Sequence, residues 1–287
     1  MRAVVTIGRS AARPNVEDIG VKESSVIPGG AGGATTEPFR GVGVALVTIF
    51  GDDGEVDPGA TGKLAGDLVT RGMRAVVVCG STGEAATLTG PERVVLIEAV
   101  RDAVPPGTPV IAGTGAPSAR QAATLTGDAV RAGADAVLAF PPPGSRDLAG
   151  YYKAVAGAAG ERPVLAYHYP LVSAPGIPVY ALAGLPVAGV KDSSGDPDRL
   201  LDELAHYPGA TYVGSSAVLA LAGPMGAAGA ILALANVEPE RCVAAFAGDA
   251  RAQFELADRH LDARRGGVAA LKAVLAADRG TPEGLRQ

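Results

Sequence analysis

Residues 91–140 read PERVVLIEAVRDAVPPGTPVIAGTGAPSARQAATLTGDAVRAGADAVLAF, and this stretch decides the fold. Pro91–Ala103 and Ser118–Ala132 are amphipathic and long enough to be crossover helices, while Pro109–Ala112 and Ala136–Phe140 are short apolar runs between them. Those runs are apolar at successive positions, the pattern of strands covered on both faces in a parallel sheet. Two parallel strands joined by a helix form a βαβ unit.

The same alternation extends in both directions. Further short runs occur at Val42–Val47, Ala75–Cys79, Val164–Tyr167, Val187–Lys191, Thr211–Gly214 and Ala230–Leu234, giving eight candidate strands in all. Eight βα units over this length predict an α/β fold of the (β/α)8 TIM barrel type, in preference to an open doubly wound sheet. The small-residue steps AGAD (Ala132–Asp135) and GAAGA (Gly226–Ala230) are expected where helices pack closely on the barrel wall. After Glu238 the chain reads as helix without further strand runs, which predicts extra C-terminal helices. Residues 1–38 contain the Gly-, Ser- and Pro-rich stretch Ser24–Pro38 and read as a flexible N-terminal extension. The expected organisation is therefore an extension over 1–38, a barrel over 39–237, and the last barrel helix with the added helices over 238–287.

Composition narrows the function classes. The chain has 287 residues, 47% hydrophobic and 19% charged, enough to bury a core and too apolar for general disorder. Aromatics are only 4%, so the core must rest on Ala, Val and Leu. A net charge of −5 without a basic, aromatic-interleaved block argues against nucleic acid as a partner. Cys79 and Cys242 stand far apart and suit buried thiols in a reducing compartment. No apolar run approaches the roughly 20 residues that cross a bilayer, and no membrane association is expected. The expected location is cytoplasmic. No His, Asp and Glu cluster suggests a metal, and GTG (Gly113–Gly115) falls short of a dinucleotide fingerprint.

In such a barrel, chemistry sits at the C-terminal ends of the strands. Only one of five lysines, Lys191, ends an apolar run. Apolar neighbours disfavour a charged ammonium, and an uncharged lysine amine attacks carbonyls. The plainer alternative is a stem that reaches the barrel mouth or an ion pair with Asp192. GSTGE (Gly80–Glu84) follows a strand and offers hydroxyls and backbone N–H groups to a small anion, or simply a turn and helix cap. Tyr167 ends its strand within AYHYP and suits either proton transfer or capping of the core. His168, one residue on, should face the helical layer, and His206 and His260 read as surface residues.

Taken together, ALVTIF, GSTGE, VIAGTG, AGADAVL, YHYP, GVKDSSGD and GAAGAILALAN, from about Gly41 to Asn236, resemble the dihydrodipicolinate synthase and N-acetylneuraminate lyase family of Schiff-base aldolases. The resemblance implies a TIM barrel working without cofactor or metal, commonly as a homodimer or homotetramer. It implies Lys191 as the amine that condenses with pyruvate or another 2-oxo acid, and Ser81 and Thr82 as the carboxylate-binding pair. Tyr167 corresponds to the proton relay, and our expectation is that it acts here with Thr82 and water in place of a tyrosine pair. Ile231 corresponds to a residue whose carbonyl lines the pocket, and Gly214 and Ser215 belong to a GSS motif that borders the substrate.

Two departures bear on the second substrate, an aldehyde. FPPP (Phe140–Pro143) replaces a TPYY-like motif, and LVSAPG (Leu171–Gly176) lacks the arginine that binds a second carboxylate. These point away from dihydrodipicolinate synthase itself. GSS, LALAN and YHYP are similar to motifs of 4-hydroxy-2-oxoglutarate and 2-keto-3-deoxy sugar acid aldolases. The alternatives are 4-hydroxy-tetrahydrodipicolinate synthesis, sugar-acid dehydration on the same imine, or a catalytically impaired barrel that binds 2-oxo acids.

Overall fold

A computed structural model describes residues 37–286. The expected extension over 1–38 lies, up to residue 36, outside the described residues. Eight parallel strands close into a barrel in sequence order, β1 pairing with both β2 and β8. They are β1 Gly41–Ala45, β2 Val76–Val78, β3 Val110–Gly113, β4 Ala136–Ala139, β5 Val164–His168, β6 Gly189–Asp192, β7 Ala210–Val213 and β8 Gly229–Leu232. The crossovers carry α1 Pro58–Thr70, α2 Gly90–Ala103, α3 Ala119–Arg131, α4 Leu148–Ala159, α5 Val179–Leu182, α6 Pro197–His206 and α7 Leu219–Ala222. Beyond β8 come α8 Pro239–Phe246, α9 Ala250–Glu255 and α10 Ala257–Arg279. The (β/α)8 barrel with added C-terminal helices is thus the observed fold.

Local chemistry sets the helix starts. Asp57, Ser118, Asp147 and Asp196 each accept a backbone N–H of the helix they begin, and Thr89 and Glu92 form a reciprocal capping box on α2. The AGAD and GAAGA steps bury Ala132, Ala134 and Ala227 in the apolar layer outside the strands, and their glycines also turn the chain. Gly133 and Gly226 hold φ of +94° and +95°, so both end a helix in a left-handed turn and aim the chain into the next strand.

Each strand buries both faces, which explains the continuous apolar runs. Inside the barrel pack Ala45, Val77, Ile111, Leu138, Leu165, Tyr167, Tyr212 and Ile231. Outside, one apolar layer lies between the strands and α1, α2 and the C-terminal helices, and another between β4–β6 and α3–α5. The N-terminal end of the barrel is plugged. Phe39 stacks on Tyr212 at 4.7 Å, and the Tyr212 hydroxyl donates to Phe39 O at 2.7 Å. Access therefore lies at the opposite, C-terminal end.

At that end β1 and β8 stop two residues earlier than their apolar runs suggest. Past Ala45 and Leu232 the chains leave the ladder, and the buried Asn236 side chain replaces the lost pairing. Its Oδ1 accepts from Val47 N at 3.2 Å, while its Nδ2 donates to Ala45 O and Ala233 O, each at 2.7 Å. Replacing Asn236 by Ala removes the partner of Val47 N and Ala45 O, whereas Ala233 O keeps the backbone N–H of residue 236. The expected cost is roughly 2–4 kcal/mol, read as a lower urea midpoint with unchanged denaturant slope.

Candidate active site

The register between β5, β6 and β7 places Tyr167, Lys191 and Tyr212 in one row. Successive residues of a strand face opposite sides, so this row points into the barrel while His168 and Asp192 point out. Tyr212 completes the plug below, and Tyr167 and Lys191 line a cavity of about 490 Å³ at the open end. The Lys191 Nζ lies 4.4 Å from the centre of the Tyr167 ring, and Ser193 Oγ donates to the Tyr167 hydroxyl at 3.4 Å. Lys191 is buried, and no carboxylate among the described residues lies within ion-pair distance of it. Asp192, the alternative partner, is instead held on the outer face by Ser194 N at 2.7 Å and Ser194 Oγ at 2.9 Å.

The β2–α2 loop forms the facing wall. Ser81–Gly83 make a single tight turn, closed by Gly83 N donating to Gly80 O at 3.0 Å and Glu84 N to Ser81 O at 3.1 Å. This turn presents Ser81 and Thr82 to the cavity. Ser81 Oγ is buried without a hydrogen-bond partner among the described residues. Gly214, Ser215 and Ile231 line the same space. A Cβ on Gly214 would sit 2.0 Å from Ser193 Oγ and 3.1 Å from Lys191 Cε, so a side chain there would displace the Ser193 hydroxyl and crowd the lysine stem. All seven residues singled out at strand ends therefore border one cavity.

Several lining residues carried no such signal. Tyr169 stacks on Tyr167 at 5.8 Å, and Phe140, from FPPP and not itself part of the lining, meets the Tyr167 ring edge-on at 6.0 Å. Burial raises the Tyr169 phenol above its ordinary value, the Tyr167 oxygen adds to this, and Arg264 opposes it. His260, expected at the surface, is half-buried on α10 and lines the cavity, with Nδ1 2.8 Å from Ser216 Oγ. Burial, assisted by Arg264, lowers its pKa. The correction has a simple cause: α10 breaks at Gly267, φ +58°, and its first half folds over the barrel mouth. Among the described residues, no acidic side chain lines the cavity.

Behind the Tyr167–Lys191 row lies a second polar group, outside the barrel. The His168 ring faces the helical layer as expected, with Nδ1 accepting from Ile177 N at 2.9 Å. Burial, with Arg199 acting in the same sense, lowers its pKa to about 4, so the ring is neutral. Arg199 Nη2 lies 2.8 Å from Glu203 Oε1 and its Nε 3.5 Å from Asp192 Oδ2, but neither contact is aligned as a hydrogen bond. Burial therefore dominates at Glu203 and, helped by the Asp192 charge, raises its pKa to about 8 against the pull of Arg199.

Comparison with known proteins gives a consistent result. The family model described as Dihydrodipicolinate synthetase family matches residues 38–265. A 4-hydroxy-tetrahydrodipicolinate synthase of Synechococcus sp. (strain WH7803) is 43% identical over 137 residues, which cover 46% of this chain and 45% of that protein. The match thus spans less than half the length of that relative. Dihydrodipicolinate synthase from Acinetobacter baumannii, solved with pyruvate, superposes with a TM-score of 0.80 at 28% identity, covering 87% of this chain and 92% of that one. KD(P)GA from T. tenax superposes with a TM-score of 0.77 at 27% identity, covering 86% and 90%.

The outer cluster sets a pH dependence. Unfolded, Glu203 ionises near 4.5, whereas folded it keeps its proton to about 8. Between those values the native state holds the extra proton, so this residue's contribution is full below the window and is lost as pH rises through it. Glu203→Gln should flatten the decline in urea stability between pH 5 and pH 8. Parallel profiles for the variant and the parent protein would contradict the assignment.

Proposed function

Since the chain belongs to the dihydrodipicolinate synthetase family, we propose that it is a lyase whose Lys191 forms a Schiff base with pyruvate or a related 2-oxo acid and makes or breaks a carbon–carbon bond next to it. One observation carries this reading. The buried Lys191 amine and the unpartnered Ser81 hydroxyl open into the same acid-free cavity, so an amine for the ketone and a donor for the adjacent carboxylate occur together.

The steps follow from the groups present. Nζ adds to the C2 carbonyl carbon, and the carbinolamine loses water to give a protonated imine. In the cleavage direction the Tyr167 phenolate, left when the phenol protonates the departing carbinolamine hydroxyl, takes the proton of the C4 hydroxyl, and the C3–C4 electron pair becomes the C2–C3 double bond of an enamine. The imine nitrogen accepts the displaced C=N pair, and an aldehyde departs. The enamine then takes a proton at C3, supplied through Tyr167, and water hydrolyses the imine to release the 2-oxo acid and the lysine. Ser81 and Thr82 hold the carboxylate throughout, and the Ile231 strand end with Gly214 and Ser215 borders the bound acid.

The aldolase direction is favoured over dihydrodipicolinate synthesis by the β4 end. Phe140 packs on Tyr167, Pro141 is buried, and neither Pro142 nor Pro143 borders the cavity, so no second hydroxyl joins Tyr167 from that strand.

Incubation with pyruvate followed by borohydride should leave a reduced pyruvyl group on the Lys191 peptide, and Lys191→Ala should abolish it. Tyr167→Phe should still be trapped, yet turn over a 4-hydroxy-2-oxo acid about 10²- to 10⁴-fold more slowly. An adduct on another lysine, or full turnover without the Tyr167 hydroxyl, contradicts the proposal.

A further inference from the structure

The loop that presents Ser81 and Thr82 is held under strain. Cys79 and Glu84, on either side of it, have φ of +56° and +55° and are the only non-glycine residues at positive φ among those described. Such conformations persist only where the surroundings over-determine them. One set of restraints comes from the barrel itself. Thr48 Oγ1 donates to Gly83 O at 2.7 Å, and the Arg93 guanidinium donates to Gly113 O at 3.1 Å and to Ala85 O.

The other set comes from far along the chain. The Glu84 carboxylate is 1% exposed, and its Oε1 accepts from Lys272 Nζ of α10 at 2.7 Å. Its Oε2 accepts from the backbone N–H of Arg286 at 2.9 Å. Lys272, equally buried, donates a second bond to Gly284 O at 2.6 Å. The segment 284–286 is anchored by the Arg286 guanidinium, which lies 4.7 Å over the Phe50 ring and 2.6 Å from Glu92 Oε1. Between these anchors Leu285 reaches the cavity wall. A buried ion pair contributes little net stability because both charges lose their water. What this pair does fix is the backbone of Glu84, whose N–H closes the turn that carries Ser81 and Thr82.

We propose that Lys272 and residues 284–286 form a strap that positions the Ser81–Thr82 anion pocket through Glu84 and completes the cavity wall with Leu285. Lys272, Glu84 and Arg286 act as positioning residues and touch no reacting atom. The inference rests on the reading that Ser81 and Thr82 bind the 2-oxo acid carboxylate. It predicts that affinity for that acid depends on groups about 200 positions away in sequence, Arg286 N being 202 residues from Glu84.

Two measurements on the full chain test it: amide hydrogen exchange over residues 80–88, and the pyruvate concentration that half-saturates borohydride trapping at Lys191. Three variants are informative: a chain ending at Gly280, Arg286→Pro, which removes the N–H that reaches Glu84, and Arg286→Ala, which retains it. The shortened chain and Arg286→Pro should both exchange faster over 80–88. Their half-saturating pyruvate should rise about tenfold, the effect of losing one charge-assisted hydrogen bond. Arg286→Ala should lie between them and the parent. The maximal trapping rate should fall less than the half-saturation point rises. Should the shortened chain not fold, the two point variants decide alone. A tail that only adds stability would lower the urea midpoint and leave local exchange and half-saturation at parental values, which would overturn the proposal. If the parent protein traps no pyruvate, the carboxylate reading falls on that result, while the exchange data still decide whether the strap holds the loop.

Discussion

The parallel pairing of Tyr167 with Lys191 across β5 and β6 is the constraint on which the rest of the site depends. Once the register is set, alternation along each strand leaves no freedom in what faces where. Tyr167 and Lys191 enter the barrel, and His168 and Asp192 leave it for the Arg199–Glu203 cluster outside. A slip of one residue would place His168 and Asp192 in the cavity and bury the lysine against α6. Packing on both faces prevents that slip, with Leu165 inward and Ala166 and Val190 outward.

The cavity is closed below and bounded above by different parts of the chain. The Phe39–Tyr212 stack plugs the N-terminal end, and Lys191 faces the cavity at the opposite end. At the open end, loops after β2, β5, β6, β7 and β8 supply the walls, and the first half of α10 covers them. Absence of acidic residues makes the space suited to an anion. An ammonium, a guanidinium and seven hydroxyl-bearing serine, threonine and tyrosine side chains line it, and Ser81 Oγ is buried without a partner in the protein.

How much of this is legible in sequence depends on distance along the chain. Each strand of a doubly covered sheet is a continuous apolar run, so the eight runs disclose the barrel, and a strand-end rule then isolates Lys191, Tyr167 and GSTGE. Errors gather where tertiary contacts replace local pattern. The β1 and β8 runs extend past the ladder because Asn236 takes over the pairing, and nothing local to Val47 announces that. His260 sits in a polar helical stretch and reads as surface, since only the break at Gly267 brings its helix across the mouth. Leu285 and Arg286 belong to a terminal stretch with no periodicity, and their partner Glu84 reads as part of a turn. The absent arginine after YHYP was legible, whereas the presence of Arg264 at the cavity rim was not, because it arrives from α10.

The central proposal is that Lys191 and the Ser81–Thr82 pair, which line one cavity, serve as the amine and the carboxylate site for a 2-oxo acid. A crystal structure of the protein soaked in pyruvate tests this most directly. The account predicts continuous density from Lys191 Nζ to C2, with the carboxylate within hydrogen-bond reach of Ser81 Oγ and Thr82. Pyruvate bound elsewhere, or bound in the cavity with its carboxylate turned away from Ser81 and no bond to Lys191, would contradict it.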